Sequence, residues 1–362
     1  MKKLIKVALL PTSLFLVSHV YAQGDNFKRW SVSAGWLHIM PTGKANSTHI
    51  NTAIQEGENY GVSQLKTSDV MNHAINIDDY RTGLAGIAIR SIENAYNRDP
   101  DSYVSNIYAG NLRSDISGIS NWSNDAGLEA DNVDTLGLTV NYFLTDKTSL
   151  ELMGGIPPKV DITGKGQIIA SVHAEANSTS ALPSYVNGLI LEKDILISDL
   201  GAHNKIAEVT AWTPSITAKY HFGESGKNKF RPFIGAGVAY GHFNKTKLNQ
   251  NFEQDLINVG HMVQNVLDDL AGLALENSGS STANPIIKVK TSDAFAPVVT
   301  AGFSYDLSDR WFSTASLTYI PKFNSTAKIT VTDSNTGNQL LNANTKVDLN
   351  PLITYAGVGY RF

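Results

Sequence analysis

The feature that most constrains the fold is a pair of alternating segments in residues 210–243. On both sides of a polar turn at residues 223–229, apolar residues such as Trp212, Ile216 and Val238 keep one parity, and the other parity is largely polar or small. A period of two is typical of β-strands with one apolar face. Two strands of about ten residues flanked by aromatic residues predict a transmembrane β-hairpin, although a hairpin of a soluble β-sandwich can show the same alternation.

The N-terminus predicts export from the cytoplasm. Lys2, Lys3 and Lys6 precede a short apolar run, and Ala22 supplies a small residue before a cleavage point. This arrangement is typical of a secretory signal peptide, so we expect residues 1–22 to be removed. The apolar run is too short and too broken for a spanning helix, which leaves soluble periplasmic, secreted and outer-membrane barrel proteins as alternatives.

Composition argues against several functional classes. The chain has no cysteine, which excludes a disulfide framework and thiolate chemistry. Removal of residues 1–22 takes away three lysines and no carboxylates, so the formal charge of −4 becomes −7 and no nucleic-acid partner is expected. The histidines are scattered without the spacing of metal ligands or a catalytic triad. We therefore predict no catalytic residues, no metal and no cofactor, and we predict that the protein is not an enzyme.

The same alternation recurs along the chain and gives eight strands in total. Besides the hairpin, the alternating segments are residues 30–42, 134–145, 149–158, 294–307, 311–320 and 346–362. Three short turns strictly alternate with four long connections, as in outer-membrane barrels, where short turns face the periplasm and long loops face outside. The sequence therefore predicts an all-β fold: an eight-stranded antiparallel transmembrane β-barrel with long, partly helical extracellular loops.

The loops are long enough to carry structure of their own. We predict a single barrel over residues 23–362, with residues 43–132 as a large first extracellular loop that contains a short helix at 82–96. Apolar residues that recur at three and four positions predict an amphipathic helix over 252–273. We expect this helix to pack on the loop cap, and a lid or membrane-surface helix is the alternative.

Three stretches carry a resemblance to a known family. They are DTLGLTVNYFLTDKTSLELMGGIPP at 134–158, TPSITAKYHFG followed by KFRPFIGAGVAYGHF at 213–243, and the ending YAGVGYRF. With them the chain resembles the outer membrane protein W (OmpW) family. The resemblance implies a barrel in the cell outer membrane whose narrow, apolar lumen passes small hydrophobic molecules. It also implies lateral exit of the solute through the barrel wall as one route.

Inward-facing residues separate by height in the predicted barrel. Charged residues lie near the periplasmic end, where buried charges must pair, and we predict that they form a plug that closes this end to water. The charged plug consists of Glu151, Lys219, Arg231, Asp306 and Arg361. A second set is predicted to line a hydrophobic lumen higher up. These residues are Leu37, Ile39, Met153 and Phe233.

Prolines lie at a similar height in six predicted strands. These residues are Pro41, Pro157, Pro214, Pro297, Pro321 and Pro351. Proline lacks the N–H that a strand donates to its neighbour, so the set either marks where regular pairing ends or marks an opening in the wall. The candidate lateral opening lies where Pro157 and Pro158 face Pro214, because these two strands are sequential neighbours.

Two functions therefore remain open. The first is a porin-like channel for small hydrophobic molecules, and the alternative is a structural or adhesive barrel that acts through its long extracellular loops. The expected partners are outer-membrane lipid, small hydrophobic solutes and the barrel-assembly machinery. Deletion of the loops discriminates between the two functions, because adhesion would fall while passage of solutes survived.

Overall fold

The centre of the molecule is a closed barrel of eight antiparallel strands. The computed structural model describes residues 27–181, 183–276 and 279–362, and the predicted signal peptide lies outside them. The barrel strands are β1 (Trp30–Met40), β2 (Val133–Phe143), β3 (Thr148–Gly155), β4 (Ser215–His221), β5 (Phe230–Leu248), β6 (Ala294–Asp306), β7 (Trp311–Tyr319) and β8 (Leu352–Arg361).

Strand pairing follows the order of the chain and then closes on itself. Each strand pairs with the next along the chain, and the barrel closes where β1 pairs with β8, from Ser31↔Arg361 to Met40↔Leu352. Short turns connect β2 to β3, β4 to β5 and β6 to β7, while the long connections lie at the opposite end. The predicted eight-stranded antiparallel barrel is therefore confirmed.

The alternation in the sequence sorts side chains between lumen and lipid. In β1, Ser31 and Ser33 are buried inside the barrel, whereas Trp30, Val32 and Trp36 are exposed on its outer face. Exposed aromatic residues mark both edges of the apolar outer band, as the two membrane interfaces require. The periplasmic belt includes Trp30, Phe230, Tyr305, Trp311 and Phe362, and the outer belt includes Trp36, Trp212, Phe295 and Tyr319.

Two predicted strands are each divided by a proline. The strand predicted to begin at Thr210 breaks before β4, and Ala207–Trp212 is a separate strand above the barrel. The last predicted strand likewise consists of Gln339–Asp348 and then β8, with Pro351 between them. Both breaks occur where proline removes the N–H that would continue the hydrogen-bonded ladder.

The long connections fold together into one cap on the extracellular end. They contain more β-structure than the sequence predicted. One five-stranded sheet runs Pro285–Thr291, Asn324–Asp333, Gln339–Asp348, Ala45–Thr52 and Asn121–Asn124. A four-stranded sheet runs Ile190–Asp199, Gln167–Ala176, Arg113–Ser117 and Glu58–Gly61. The upper half of β5 continues into a third layer with Ala207–Trp212, Lys159–Lys165 and Gly127–Ala130.

Helices complete the cap, and the longest of the described helices lies between the five-stranded and the four-stranded sheets. They are α1 (Thr67–His73), α2 (Gly83–Arg98), α3 (Asn106–Ala109), α4 (Gln250–Leu267) and α5 (Ala271–Ala274), with 3₁₀ turns at Ile77–Tyr80, Pro183–Val186 and Leu200–Ala202. The predicted amphipathic helix is α4, which packs inside the cap and ends before α5. Within the part of the chain that the structure describes, no helix has the length and apolar character needed to cross a membrane.

We expect Met262→Ala to destabilise the cap more than the barrel. Met262 is fully buried, between Val259 and Val263 on the inner face of α4. Truncation of such a side chain leaves a cavity and costs about 2–5 kcal/mol. Hydrogen exchange should show faster exchange in α4 and the cap sheets, with the barrel strands unchanged. Asn258→Ala, which lies on the same helix but outside the apolar core cluster, is the control.

Candidate functional site

The lower lumen is occupied by a buried ion pair. The Nζ atom of Lys219 lies 2.5 Å from Oε1 of Glu151, and Nδ2 of Asn141 donates to Oε2 of Glu151 at 3.0 Å. The same ammonium lies 4.1 Å from the ring centroid of Phe233. Lys219 and Glu151 are 5% and 6% exposed, so both charges depend on each other and on these neighbours rather than on water.

A second ionic group lies below, at the periplasmic end. Nη1 of Arg361 lies 2.7 Å from Oδ1 of Asp306, and its guanidinium stacks over the Phe312 ring at 4.5 Å. Nη2 of Arg231 donates to the backbone oxygen of Asp146 at 2.5 Å. The structure therefore places all five predicted plug residues in the lower lumen, in two groups. Asp146 and Phe312 were missed, although Asp146 lies in a turn that the sequence predicts.

Phe233 differs from its predicted position. The sequence predicts that it lies in the upper, hydrophobic part of the lumen. Its Cα partners are His221 in β4 and Gly302 in β6, which are near the periplasmic ends of their strands. Parity predicted correctly that the ring faces inward, but only the register fixes its height. Phe233 therefore lies in the ionic layer, where its ring contacts the Lys219 ammonium.

A layer of hydroxyl groups lies above the ions. Oγ of Ser33 is within 2.7 Å of both Oγ1 of Thr139 and the phenolic oxygen of Tyr355. Thr300 and Thr318 form a similar pair at 2.8 Å between β6 and β7. These bonds satisfy the polar atoms among themselves, so the hydroxyl groups lie between the charged residues and the apolar region above without needing other partners.

An apolar cavity of about 110 Å³ lies at the junction of barrel and cap. Side chains from the barrel rim, the third layer of the cap and α4 enclose it. They include Ile39, Ile320, Phe323, Ile353, Val209 and Phe252. Of the predicted lumen residues, Ile39 lines this cavity, while Leu37 and Met153 lie in the adjacent space described below. Ile320 and Ile353 lie on the inward parity and could have been found from the sequence.

The barrel wall is interrupted between β3 and β4. Their ladder runs from Thr148↔Tyr220 up to Met153↔Ser215 and stops there. Above it, Ile156 N–H donates at 3.1 Å to the Leu136 carbonyl on the far side of β3. Hydrogen bonding between the segment after β3 and the segment before β4 resumes where Ala211 N–H donates to the Pro158 carbonyl at 3.0 Å. We call the intervening segments, residues 154–157 and 212–214, the wall gap.

The wall gap holds its own cavity, of about 250 Å³, beside the apolar cavity. Six residues line both cavities, so the two spaces adjoin. They are Ile39, Pro158, Ala211, Thr213, Ile320 and Ile353. On the outer face, Ile156 and Trp212 flank the gap and are 59% and 49% exposed. The structure therefore brings Pro157, Pro158 and Pro214 together at this one place.

The OmpW family model matches residues 107–276 and 273–362, which together make up more than half of the chain. The chain belongs to the OmpW family. The predicted family is therefore confirmed, and the protein is a barrel of the outer membrane. Its eight barrel strands and its two belts of exposed aromatic residues are the features by which this family member spans that membrane.

The chain is also similar to other proteins whose sequences or structures are known. Outer membrane protein W of Vibrio cholerae serotype O1 is 26% identical over 227 residues, which cover 63% of this chain and 73% of the relative. Among solved structures, OprG of Pseudomonas aeruginosa is 15% identical, with 92% and 96% of the two chains covered and a TM-score of 0.46. Outer membrane protein W of E. coli is 16% identical, with 92% and 98% covered and a TM-score of 0.32.

The site contains no arrangement of metal ligands in the described residues, where groups of three or more His, Asp and Glu side chains suited to a metal ion do not occur. Its chemistry is that of an apolar space above a layer of paired charges. Such a space can accept an apolar molecule without leaving polar groups unsatisfied.

Proposed function

We propose that this OmpW-family barrel passes small hydrophobic molecules across the outer membrane and releases them sideways into the bilayer. The observation that carries the proposal is the wall gap beside the apolar cavity. A solute in the apolar cavity has an apolar way out at the wall gap. Below the cavity it meets hydroxyl groups and paired ions, which an apolar molecule cannot enter without breaking their contacts.

The cavity dimensions support a solute of modest size. An apolar cavity of about 150 Å³ holds a molecule such as benzene. The apolar cavity and the wall-gap cavity, at about 110 and 250 Å³, are of this order. An eight-stranded barrel has room for side chains or one small ligand, so its lumen is too narrow for a wide aqueous pore.

The wall gap lies at the height of the outer belt of aromatic residues. Trp212 and Trp36 belong to that belt, and Ile156 is exposed on the outer face beside the gap. A solute that leaves the gap therefore enters the hydrocarbon near the outer interface without crossing a layer of charge. Partitioning into the acyl chains then supplies the driving force.

We expect cells that produce the protein to take up benzene faster than cells that lack it, with no gain for erythritol. The lumen offers an apolar path and no hydrated one, so the gain should be selective. Uptake of both labelled solutes would be measured over the first seconds after mixing. Equal uptake of benzene with and without the protein would contradict the proposal, and an equal gain for erythritol would indicate an aqueous pore instead.

A second candidate function, adhesion through the cap, has one observation in its favour. Leu84 and Ile87 on α2 and Ile107 in α3 are 54%, 54% and 64% exposed at the surface of the cap. Exposed apolar side chains of this kind favour contact with another surface. In the uptake experiment, Leu84→Ser with Ile87→Ser should leave benzene uptake unchanged. The same variant should lower cell-to-cell or cell-to-surface attachment if adhesion is the function.

A further inference from the structure

The barrel wall has a second separation, higher than the wall gap. The ladder between β5 and β6 ends at Gly241↔Ala294. Above this pair, β5 turns to pair with Ala207–Trp212, and Pro285–Thr291 pairs with Asn324–Asp333. Oγ1 of Thr291 donates to the Phe243 carbonyl at 2.7 Å across the base of the separation. A cleft of about 680 Å³ lies between the diverging strands.

The outer part of this cleft carries positive charge. Lys245 and Lys247 from β5 and Lys290 from the opposite strand line it, together with one carboxylate, that of Glu253 in α4. We call this space the lysine cleft. Among the described residues, none of the three lysines forms an ion pair, whereas Lys159 and Lys205 in the neighbouring layer are paired with Glu208. The three ammonium groups are therefore available to a ligand.

The backbone at Lys245 is held in an unusual conformation. Its φ is 52°, in the left-handed region that a lysine rarely adopts, and it lies where the register of β5 shifts against Glu208 and Thr210. A β-bulge of this kind re-aims the side chain that it carries. The acid at the foot of the cleft is already engaged, since Asp293 accepts hydrogen bonds from Tyr240 and His242 at 2.8 Å each.

The inner part of the lysine cleft adjoins the apolar cavity, and the two spaces share part of their lining. Five residues line both spaces. They are Phe243, Thr246, Leu248, Val289 and Thr291. A molecule that entered between the strands would thus meet ammonium groups at the outer edge and apolar side chains a few residues deeper. That order of chemistry, cationic and then apolar, fits a ligand with an anionic head and an apolar tail.

We propose that the lysine cleft is the entrance of the channel and selects single-chain alkyl carboxylates, whose head it holds while the tail enters the apolar cavity. This inference rests on the proposed function, and it names the class of solute. A carboxylate is ionised at neutral pH and accepts charge-assisted hydrogen bonds from ammonium groups. The same tail capped as a methyl ester lacks that charge, so the pair isolates what the lysines contribute.

The test uses the full-length protein in lipid nanodiscs, with decanoate and methyl decanoate as ligands. We expect the triple variant Lys245→Gln, Lys247→Gln, Lys290→Gln to bind decanoate about tenfold more weakly, a loss typical of a charge-assisted contact, while binding of the ester is unchanged. Lys288→Gln with Lys328→Gln is the matched control, because both lysines are close in sequence or register yet do not line the cleft. High salt should weaken decanoate binding alone.

The outcomes separate the inference from the proposed function. If the ester binds and the triple variant binds decanoate as well as the unsubstituted protein does, the entrance role is wrong and the channel stands. If the triple variant loses both ligands equally, the lysines serve the cap or the outer-leaflet lipid, and the inference is also overturned. If neither ligand binds any variant and benzene uptake shows no gain, the proposed function itself fails.

Discussion

Thr213→Trp should abolish the passage of small apolar solutes while the barrel still assembles. Thr213 lines both the apolar cavity and the wall-gap cavity, so its side chain lies at their junction. An indole there would occupy much of the 250 Å³ of the wall gap. Overpacking costs about 1–3 kcal/mol, and the open side of the gap gives the ring room to adapt. Benzene uptake should fall to the level of cells without the protein.

The control places the same indole on the outside of the wall. Ile216 is three residues further along, in β4, and is 49% exposed to lipid. Ile216→Trp introduces the same indole nearby without reaching either cavity, so benzene uptake should be unchanged. Electrophoretic mobility of unheated samples would show that both variants are folded. If Thr213→Trp folds and still passes benzene, lateral exit through the wall gap is wrong.

The sequence predicts the barrel well because successive residues of a transmembrane strand alternate between lipid and lumen, and their polarity alternates with them. In β1 the lipid side carries Trp30 and Trp36 and the lumen side carries Ser31 and Ser33. Parity alone therefore assigns inside and outside. It does not assign height, since height depends on which residue of the neighbouring strand lies opposite. Phe233 was placed too high for this reason, although its inward direction was predicted correctly.

The cap was predicted poorly because its strands are paired between distant loops. Ala45–Thr52 pairs with Gln339–Asp348, almost the whole chain away, and Pro285–Thr291 pairs with Asn324–Asp333. Their stability comes from packing around α4 and from one another, and polar residues are frequent in them. The formation of short strands of this kind depends more on packing against their neighbours than on the intrinsic β-propensity of their residues. The helices α2 and α4 were found because their periodicity is local.

The wall gap is an intermediate case. The prolines that border it are visible in the sequence, and their position on neighbouring strands predicts where they meet. The gap itself depends on the hydrogen bonds of the two segments that border it. Ile156 and Pro214 are each hydrogen-bonded to the strand on their far side, which leaves the facing edges apart. The existence of Ala207–Trp212 as a separate strand, which restores pairing above the gap, could not be read from proline spacing.

Lys219→Met should destabilise the barrel by about 3–5 kcal/mol, because it leaves the buried Glu151 carboxylate without its counter-charge. The pair is almost fully enclosed, and the remaining partner of the carboxylate is the amide of Asn141. Phe233 would also lose the cation above its ring. Urea unfolding of the purified protein in lipid, followed by tryptophan fluorescence, would measure the change.

The double variant Glu151→Leu with Lys219→Met shows whether the loss of stability comes from an unpaired buried charge or from the lost packing of the Lys219 side chain. Replacement of both ions by apolar groups removes the uncompensated charge and is often neutral or stabilising, so the double variant should recover most of the loss. Lys227→Met, which removes the exposed pair with Glu224, should be indistinguishable from the unsubstituted protein. A small effect of Lys219→Met would mean that water reaches Glu151, and the plug would then not seal the periplasmic end.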